Sequence, residues 1–228
     1  LILILSKFLA TRNTDIIHYK NIIVSFIYVF LPCVLVLLQP DLGSLIIMLG
    51  IWLGLLLVSG LNFKYFLIIL LCFLIVGGLG WKFILKDYQK NRIISFLNPL
   101  NDPRGNNYNL KQAIIAIGSG KLLGKGAGWG TQTQLKFLPE AKTDFIFASL
   151  AEETGFIGIS ILFICLFLLF KRLYEYTKQA NNNFAQLFII GFMIKLAIEV
   201  IINIGVNIGL LPVVGIALPF LTLGGSHL

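Results

Sequence analysis

Asp144 stands at the junction between a basic loop and an apolar run, and its setting is the strongest chemical signal in the chain. The approach reads Gln134-Leu-Lys-Phe-Leu-Pro-Glu-Ala-Lys-Thr-Asp144. Phe-Ile-Phe-Ala-Ser-Leu-Ala-Glu-Glu-Thr-Gly155 follows, ahead of apolar residues Ile157 to Phe170. A carboxylate held at a membrane surface beside several cations suits chemistry on a lipid-linked anion.

Upstream, Gly118-Ser-Gly-Lys121-Leu-Leu-Gly-Lys125-Gly-Ala-Gly-Trp-Gly130 sets repeated glycines around two lysines. Backbone N–H groups and ammoniums of such a stretch can converge on a phosphate; a flexible loop explains the same composition. It is not a Walker A loop, because Ser119 occupies the first glycine position and no Ser or Thr follows Lys125. A second cluster recurs every four residues, Lys195, Glu199, Asn203 and Asn207, which places the four on one helical stripe. Lys195 and Glu199 can pair at this spacing and lower the cost of residing in lipid. The stripe fits either a polar cavity wall or interhelical hydrogen bonding. Asp41, in Gln39-Pro-Asp-Leu-Gly43, reads as a helix cap, and Glu152 and Glu153 suit a helix first turn. Cys33, Cys72 and Cys165 lack paired spacing, and His18 and His227 are far apart, so neither a disulfide framework nor a histidine metal site is indicated.

The elements that must position these groups are membrane spans. With 57% hydrophobic and 12% charged residues, and a mean hydropathy of +0.90, the chain cannot cover a soluble surface with polar groups. Continuous apolar runs long enough for ~30 Å of hydrocarbon fall at Ile22–Gln39, Leu42–Leu61, Phe63–Leu85, Gly155–Phe170 and Phe184–Ile208. Such runs exclude a β-barrel, which alternates. The fold class is therefore an all-α polytopic membrane protein, a helical bundle with a single membrane domain over 1–228. Within it lie a long loop, 82–154, and a C-terminal segment, Asn207 to Ser226, whose prolines and glycines fit a re-entrant element. Tyr108 to Ile117 carries helical spacing and suits a short interfacial helix, while Asn98 to Asn107 is turn chemistry.

Lys7, Arg12 and Lys20, then Lys64, then Lys171, Arg172 and Lys178 flank alternate ends of the spans. Placing them in the cytoplasm puts Pro40-Asp41, the 82–154 loop and the stretch after Gly209 outside. That loop carries ten Lys and Arg against six Asp and Glu. Long loops are translocated largely regardless of charge, and the excess also suits anionic headgroups. No feature points to nucleic acid. The chain opens within an apolar segment, Leu1 to Ala10, with no initiator Met, and reads as a fragment of a longer protein.

Several motifs, in order, resemble the shape, elongation, division and sporulation (SEDS) family, and within it the rod-shape (RodA) branch. They are Gln39-Pro-Asp-Leu-Gly43, Asp87-Tyr-Gln89, Ala116-Ile-Gly-Ser-Gly120, Gly124-Lys-Gly126, Gly130-Thr-Gln-Thr-Gln134, Phe137-Leu-Pro-Glu140, Thr143-Asp-Phe-Ile-Phe147 and Ala151-Glu-Glu153. Asn207 to Ser226 is similar to the family's C-terminal signature, with Thr222-Leu223 in place of its Ser-Tyr and His227 in place of a small residue. The resemblance implies ten transmembrane helices, of which the first three, the start of the fourth and the tenth are missing here. It also implies a peptidoglycan glycosyltransferase of the bacterial cytoplasmic (inner) membrane that polymerises lipid II, with 82–154 as its extracytoplasmic catalytic loop.

By the same resemblance Asp144 is the essential carboxylate, suited to accept a proton from an attacking sugar hydroxyl. Lys111, Lys121, Lys125, Lys136 and Lys142 are candidates to bind the pyrophosphate-bearing substrate, with Glu140 beside them; Lys195, Glu199, Asn203 and Asn207 are candidates to line a cavity. A class B penicillin-binding protein is the implied partner. No dedicated metal motif is present, although Asp144, Glu140, Glu152 and Glu153 have the oxygen chemistry for a divalent cation. Two other functions stay open: a transporter of lipid-linked precursor, which the polar stripe would serve, and a scaffold for the transpeptidase.

Overall fold

The computed structural model describes residues 1–11, 19–39, 41–83, 90, 94–96, 106–135, 137–138 and 140–222. Lys136, Asp87-Tyr-Gln89, residues 98–105 of the turn-forming stretch, His18 and residues 223–228 lie outside them, while Asn106 and Asn107 of that stretch open a helix rather than a turn. The described elements are helical, with no strand among the described residues: α1 (Ile2–Thr11), α2 (Tyr19–Leu38), α3 (Leu42–Val58), α4 (Phe63–Phe83), α5 (Asn106–Gly120), α6 (Thr131–Gln134), α7 (Ile146–Gln179) and α8 (Asn183–Asn207). By length and apolarity α2, α7 and α8 can each cross a membrane. The chain is an all-α polytopic membrane protein.

The expected apolar segments are helical with small shifts at their ends, except for α7, which runs Ile146–Gln179 rather than Gly155 to Phe170. Asp41 caps α3 as expected, with Oδ1 accepting from the Ser44 N–H at 3.1 Å and Oδ2 from the Ser44 hydroxyl at 2.6 Å. Pro32 lies inside α2, and Pro and Gly are tolerated in spanning helices where neighbouring groups satisfy the freed backbone.

Two compact units are built from this chain, and α7 and α8 each contribute to both. The first, Leu1–Leu85 with Leu169–Ile198, has its core at Leu5, Leu9, Val29, Ile51, Trp52, Leu55, Leu56 and Leu187. Gly50 and Gly54, one turn apart on α3, lie against Ile198 and Ile194 of α8. A Cβ on either glycine would come within 2.5 Å and 2.8 Å of those side chains, so small residues permit the close approach. Trp52 donates its indole N–H to the Ser25 hydroxyl at 3.0 Å within this core, and Ser25 is fully buried. Replacing Ser25 by Ala leaves that N–H without its acceptor, and unfolding in detergent should show a loss of about 1–3 kcal/mol.

The second unit, Lys86–Leu168 with Glu199–Leu228, packs around Phe147, Leu162, Val200 and Leu218, with Ile117, Ile146, Leu150, Ile159, Leu166, Ile204 and Leu221 against them. Beyond Asn207 the backbone is irregular rather than helical through Thr222. This unit contains Asp144 and the glycine-rich loop.

Candidate functional site

Two constructions meet on α7, one at its beginning and one at a break within it. Asp144 lies just before the first turn and is half-buried. Its main-chain carbonyl accepts two side-chain donors, Asn203 Nδ2 at 2.9 Å and Asn207 Nδ2 at 3.0 Å. Asn207 Oδ1 in turn accepts the Ala148 N–H at 3.0 Å, one of the amides that a helix start leaves without an internal partner. Asn203 Nδ2 also reaches the Ile216 carbonyl at 2.8 Å, so one carboxamide ties the Asp144 backbone to the irregular segment after α8. The carboxylate itself faces Gly215 of that segment: a Cβ built there would lie 3.7 Å from Asp144 Oδ2, and Gly215 is exposed with φ +72°.

The break is at Gly155, with φ +65° and ψ −162°. A continuous helix would pair the Phe156 and Ile157 N–H groups with the Glu152 and Glu153 carbonyls. Here the glycine-rich loop takes both halves of those bonds. Phe156 and Ile157 donate to the carbonyls of Lys121 and Leu122 at 2.9 and 3.2 Å, while Lys125 and Gly126 donate to those of Glu152 and Glu153 at 3.0 Å each. The sequence left this loop as either an anion nest or a flexible connector. The loop is not a free connector: two of its amides are spent on α7, and it is pinned to the break.

Side chains add a second attachment. Glu152 is fully buried, and its carboxylate accepts from Lys125 Nζ at 2.8 Å, from the Gln132 and Thr133 N–H groups at 3.0 and 3.2 Å, and from the Thr131 and Thr133 hydroxyls at 3.2 and 3.0 Å. Rather than serving a first turn of α7, Glu152 caps the one-turn helix α6 from a distance, which suits the positive end of its peptide dipoles. Lys125 also donates to the Thr131 hydroxyl at 2.7 Å. Removing Glu152 as Ala strips two backbone donors and a lysine of their acceptor together, and thermal unfolding should report a loss of about 3 kcal/mol.

The remaining candidates are distributed as follows. Lys111 on α5, Lys121 with φ +49°, Lys142 and Glu140 are exposed, and the Glu140 carbonyl accepts the Thr143 and Phe145 N–H groups in the turn that leads to Asp144. Asp144, Asn203 and Asn207 are brought together. On the polar stripe, Lys195 is half-buried in the first unit, while Glu199, Asn203 and Asn207 are buried in the second. No group of three His, Cys, Asp or Glu side chains able to hold a metal converges among the described residues, and the Glu152 oxygens are already engaged. The sequence reading missed Thr131, Gln132 and Thr133 as partners of Glu152, and Gly215 as the neighbour of Asp144. A Gly-Thr-Gln-Thr start to a short helix was the available signal for the first set; the second has none.

Comparison with known proteins agrees with this architecture. A family model described as "Cell cycle protein", covering FtsW, RodA and SpoVE, matches residues 1–228. The chain is 42% identical over 209 residues to the peptidoglycan glycosyltransferase MrdB of Escherichia coli K12, covering 92% of this chain and 56% of that protein. It is 37% identical over 228 residues to a probable peptidoglycan glycosyltransferase FtsW of Buchnera aphidicola, covering 98% and 59%. Thus the chain spans a little over half the length of these relatives. Among solved structures, one described under the structural coordination of polymerization and crosslinking by a peptidoglycan synthase complex matches with a TM-score of 0.77 at 29% identity, over all of this chain and 62% of the other. A mutant of the Thermus thermophilus rod shape determining protein RodA matches with a TM-score of 0.64 at 27% identity, over all of this chain and 58% of the other. With a family match along its whole length and a fold shared with RodA, the chain belongs to the FtsW, RodA and SpoVE (SEDS) family of cell cycle proteins.

Proposed function

We propose that this chain carries the catalytic part of a peptidoglycan glycosyltransferase that polymerises lipid II into glycan strands during cell elongation. The observation that supports it most is Asp144, a half-buried carboxylate with a doubly held backbone, in a chain 42% identical to a peptidoglycan glycosyltransferase. In this reading the acceptor sugar's 4-hydroxyl gives its proton to the Asp144 carboxylate as its oxygen attacks the anomeric carbon of the lipid-linked donor. The bond from that carbon to the pyrophosphate breaks, and undecaprenyl pyrophosphate leaves with the electron pair. Exposed cations, Lys111, Lys121 and Lys142, supply positive charge to the leaving pyrophosphate, and Lys136 is a further candidate by sequence alone. Lys125 serves the scaffold through Glu152.

The membrane is the bacterial cytoplasmic membrane, with the 82–154 loop on its outer side, where the lipid-linked donor presents its sugars. A class B penicillin-binding protein is the partner, a reading supported by the likeness to a structure titled for a peptidoglycan synthase complex. The test is polymerisation of purified lipid II by the full-length polypeptide carrying this sequence, reconstituted with that partner, with strands resolved on gels. Strands that disappear in Asp144→Asn support the assignment. Translocation of a fluorescent lipid-linked precursor without strand formation would replace it with the transporter function.

A further inference from the structure

Asn203 and Asn207 are 1% and 0% exposed, so neither is placed to meet a substrate. Their hydrogen bonds go mostly to main chain, and both reach the Asp144 carbonyl. Asn207 stands between two groups that a regular helix would join directly: the Ala148 N–H, which it accepts at 3.0 Å, and the Asp144 carbonyl, to which it donates at 3.0 Å. These are residues i and i−4, the spacing of a helical hydrogen bond. The carboxamide interrupts that bond, and the first bond of this turn to close runs from the Ser149 N–H to the Phe145 carbonyl at 3.1 Å. Asn203 holds the same Asp144 carbonyl from its second lone pair at 2.9 Å and the Ile216 carbonyl at 2.8 Å. Asn207 Nδ2 also donates to the Asn203 carbonyl at 2.8 Å, which fixes the two carboxamides relative to each other.

We propose that Asn203 and Asn207 are positioning residues: together they keep residue 144 just outside α7 and aim its carboxylate toward Gly215. The proposal rests on the reading of Asp144 as general base. Without the Asn207 carboxamide, the Ala148 N–H and the Asp144 carbonyl can pair with each other. The helix then extends back by a residue and turns the Asp144 side chain to a new bearing, since each added residue rotates the side-chain direction by about 100°. The freed groups satisfy each other, so folding survives while aim is lost.

The experiment measures kcat and KM for lipid II polymerisation, per folded molecule, in Asn207→Ala and Asn203→Ala of the full-length protein with its partner. Asp144→Asn and Ser25→Ala are run beside them, the latter as a destabilised variant whose change lies in the other unit. The expected result is a kcat lowered roughly 10- to 100-fold, the scale of a small misplacement of a catalytic group. KM stays within about threefold, because the interaction lost acts in the transition state. Ser25→Ala keeps its kcat once corrected for folded fraction. Full kcat in both Asn variants, or losses that track folded fraction as in Ser25→Ala, overturns the positioning role. Should Asn207→Ala fail to fold, Asn203→Ala decides on the same readouts: it removes the second donor to the Asp144 carbonyl and the tie to Ile216 that directs it, while the Asn207 bridge keeps the helix start satisfied. An inactive Asp144→Asn beside fully active Asn variants sinks only this proposal, whereas parental rates in Asp144→Asn sink the base assignment beneath it.

Discussion

Asparagine in place of Asp144 should lower the rate of strand formation by about 10²- to 10⁴-fold, the range that a positioned general base contributes. The substitution is close to isosteric. Asn203 and Asn207 grip the carbonyl oxygen of residue 144, a hold that the substitution leaves in place. The variant therefore keeps this main-chain hold and the neighbouring Gly215, and loses the capacity to take a proton. Thermal stability and partner binding should match the parent, with the deficit in kcat. Initial rates of lipid II consumption, measured with folded protein counted independently, check this. A variant that loses lipid II binding instead would move Asp144 from proton transfer to substrate capture.

Alanine at Gly155 should destabilise the second unit by on the order of 5 kcal/mol, combining backbone strain with the loss of several hydrogen bonds. The φ of +65° with ψ of −162° belongs to a region that is essentially glycine's alone, and a side chain there costs about 1–3 kcal/mol. In addition, the new Cβ would run into the Gly124 backbone nitrogen and lie 2.7 Å from the Leu122 carbonyl oxygen. Neither neighbour is a flexible side chain that can swing away. The loop must shift, and the four main-chain bonds it makes to α7, each worth about 0.5–1.5 kcal/mol, weaken together. Thermal unfolding in detergent and limited proteolysis across 120–134 check the expectation. A variant within about 1 kcal/mol of the parent would show that the break is not held as described.

How much of this was legible beforehand differs between elements for identifiable reasons. Helices α2, α3 and α8 are dominated by apolar residues, even with the polar stripe of α8, and their ends lie within a few residues of where hydropathy places them. The start of α7 was hidden because Glu152-Glu-Thr154 interrupts the apolar pattern. The interruption is explained by partners distant in sequence: Lys125 and Thr131 to Thr133 engage Glu152, and a carboxylate's partners cannot be read from its own neighbourhood. Asn203 and Asn207 could be placed on one stripe by their spacing alone. What they bind could not, since their acceptor is a main-chain carbonyl, which every residue possesses. Asp144 was found through its residue type and surroundings, while nothing in the sequence marks Gly215 as the neighbour of its carboxylate.

The exchange of bonds at Gly155 has a consequence for how this region meets deuterated water. Leu122, Leu123 and Trp129 have exposed side chains, and by appearance the stretch around them belongs with rapidly labelled surface. Yet the amides of Lys125, Gly126, Phe156 and Ile157 are all engaged across the break. They should take up deuterium slowly and at a common rate, as one cooperative opening, while the amides of Ala127 and Gly128 label early. A slow patch of four amides, two from a loop and two from a span, would mark the place where this helix borrows its continuity from elsewhere in the chain.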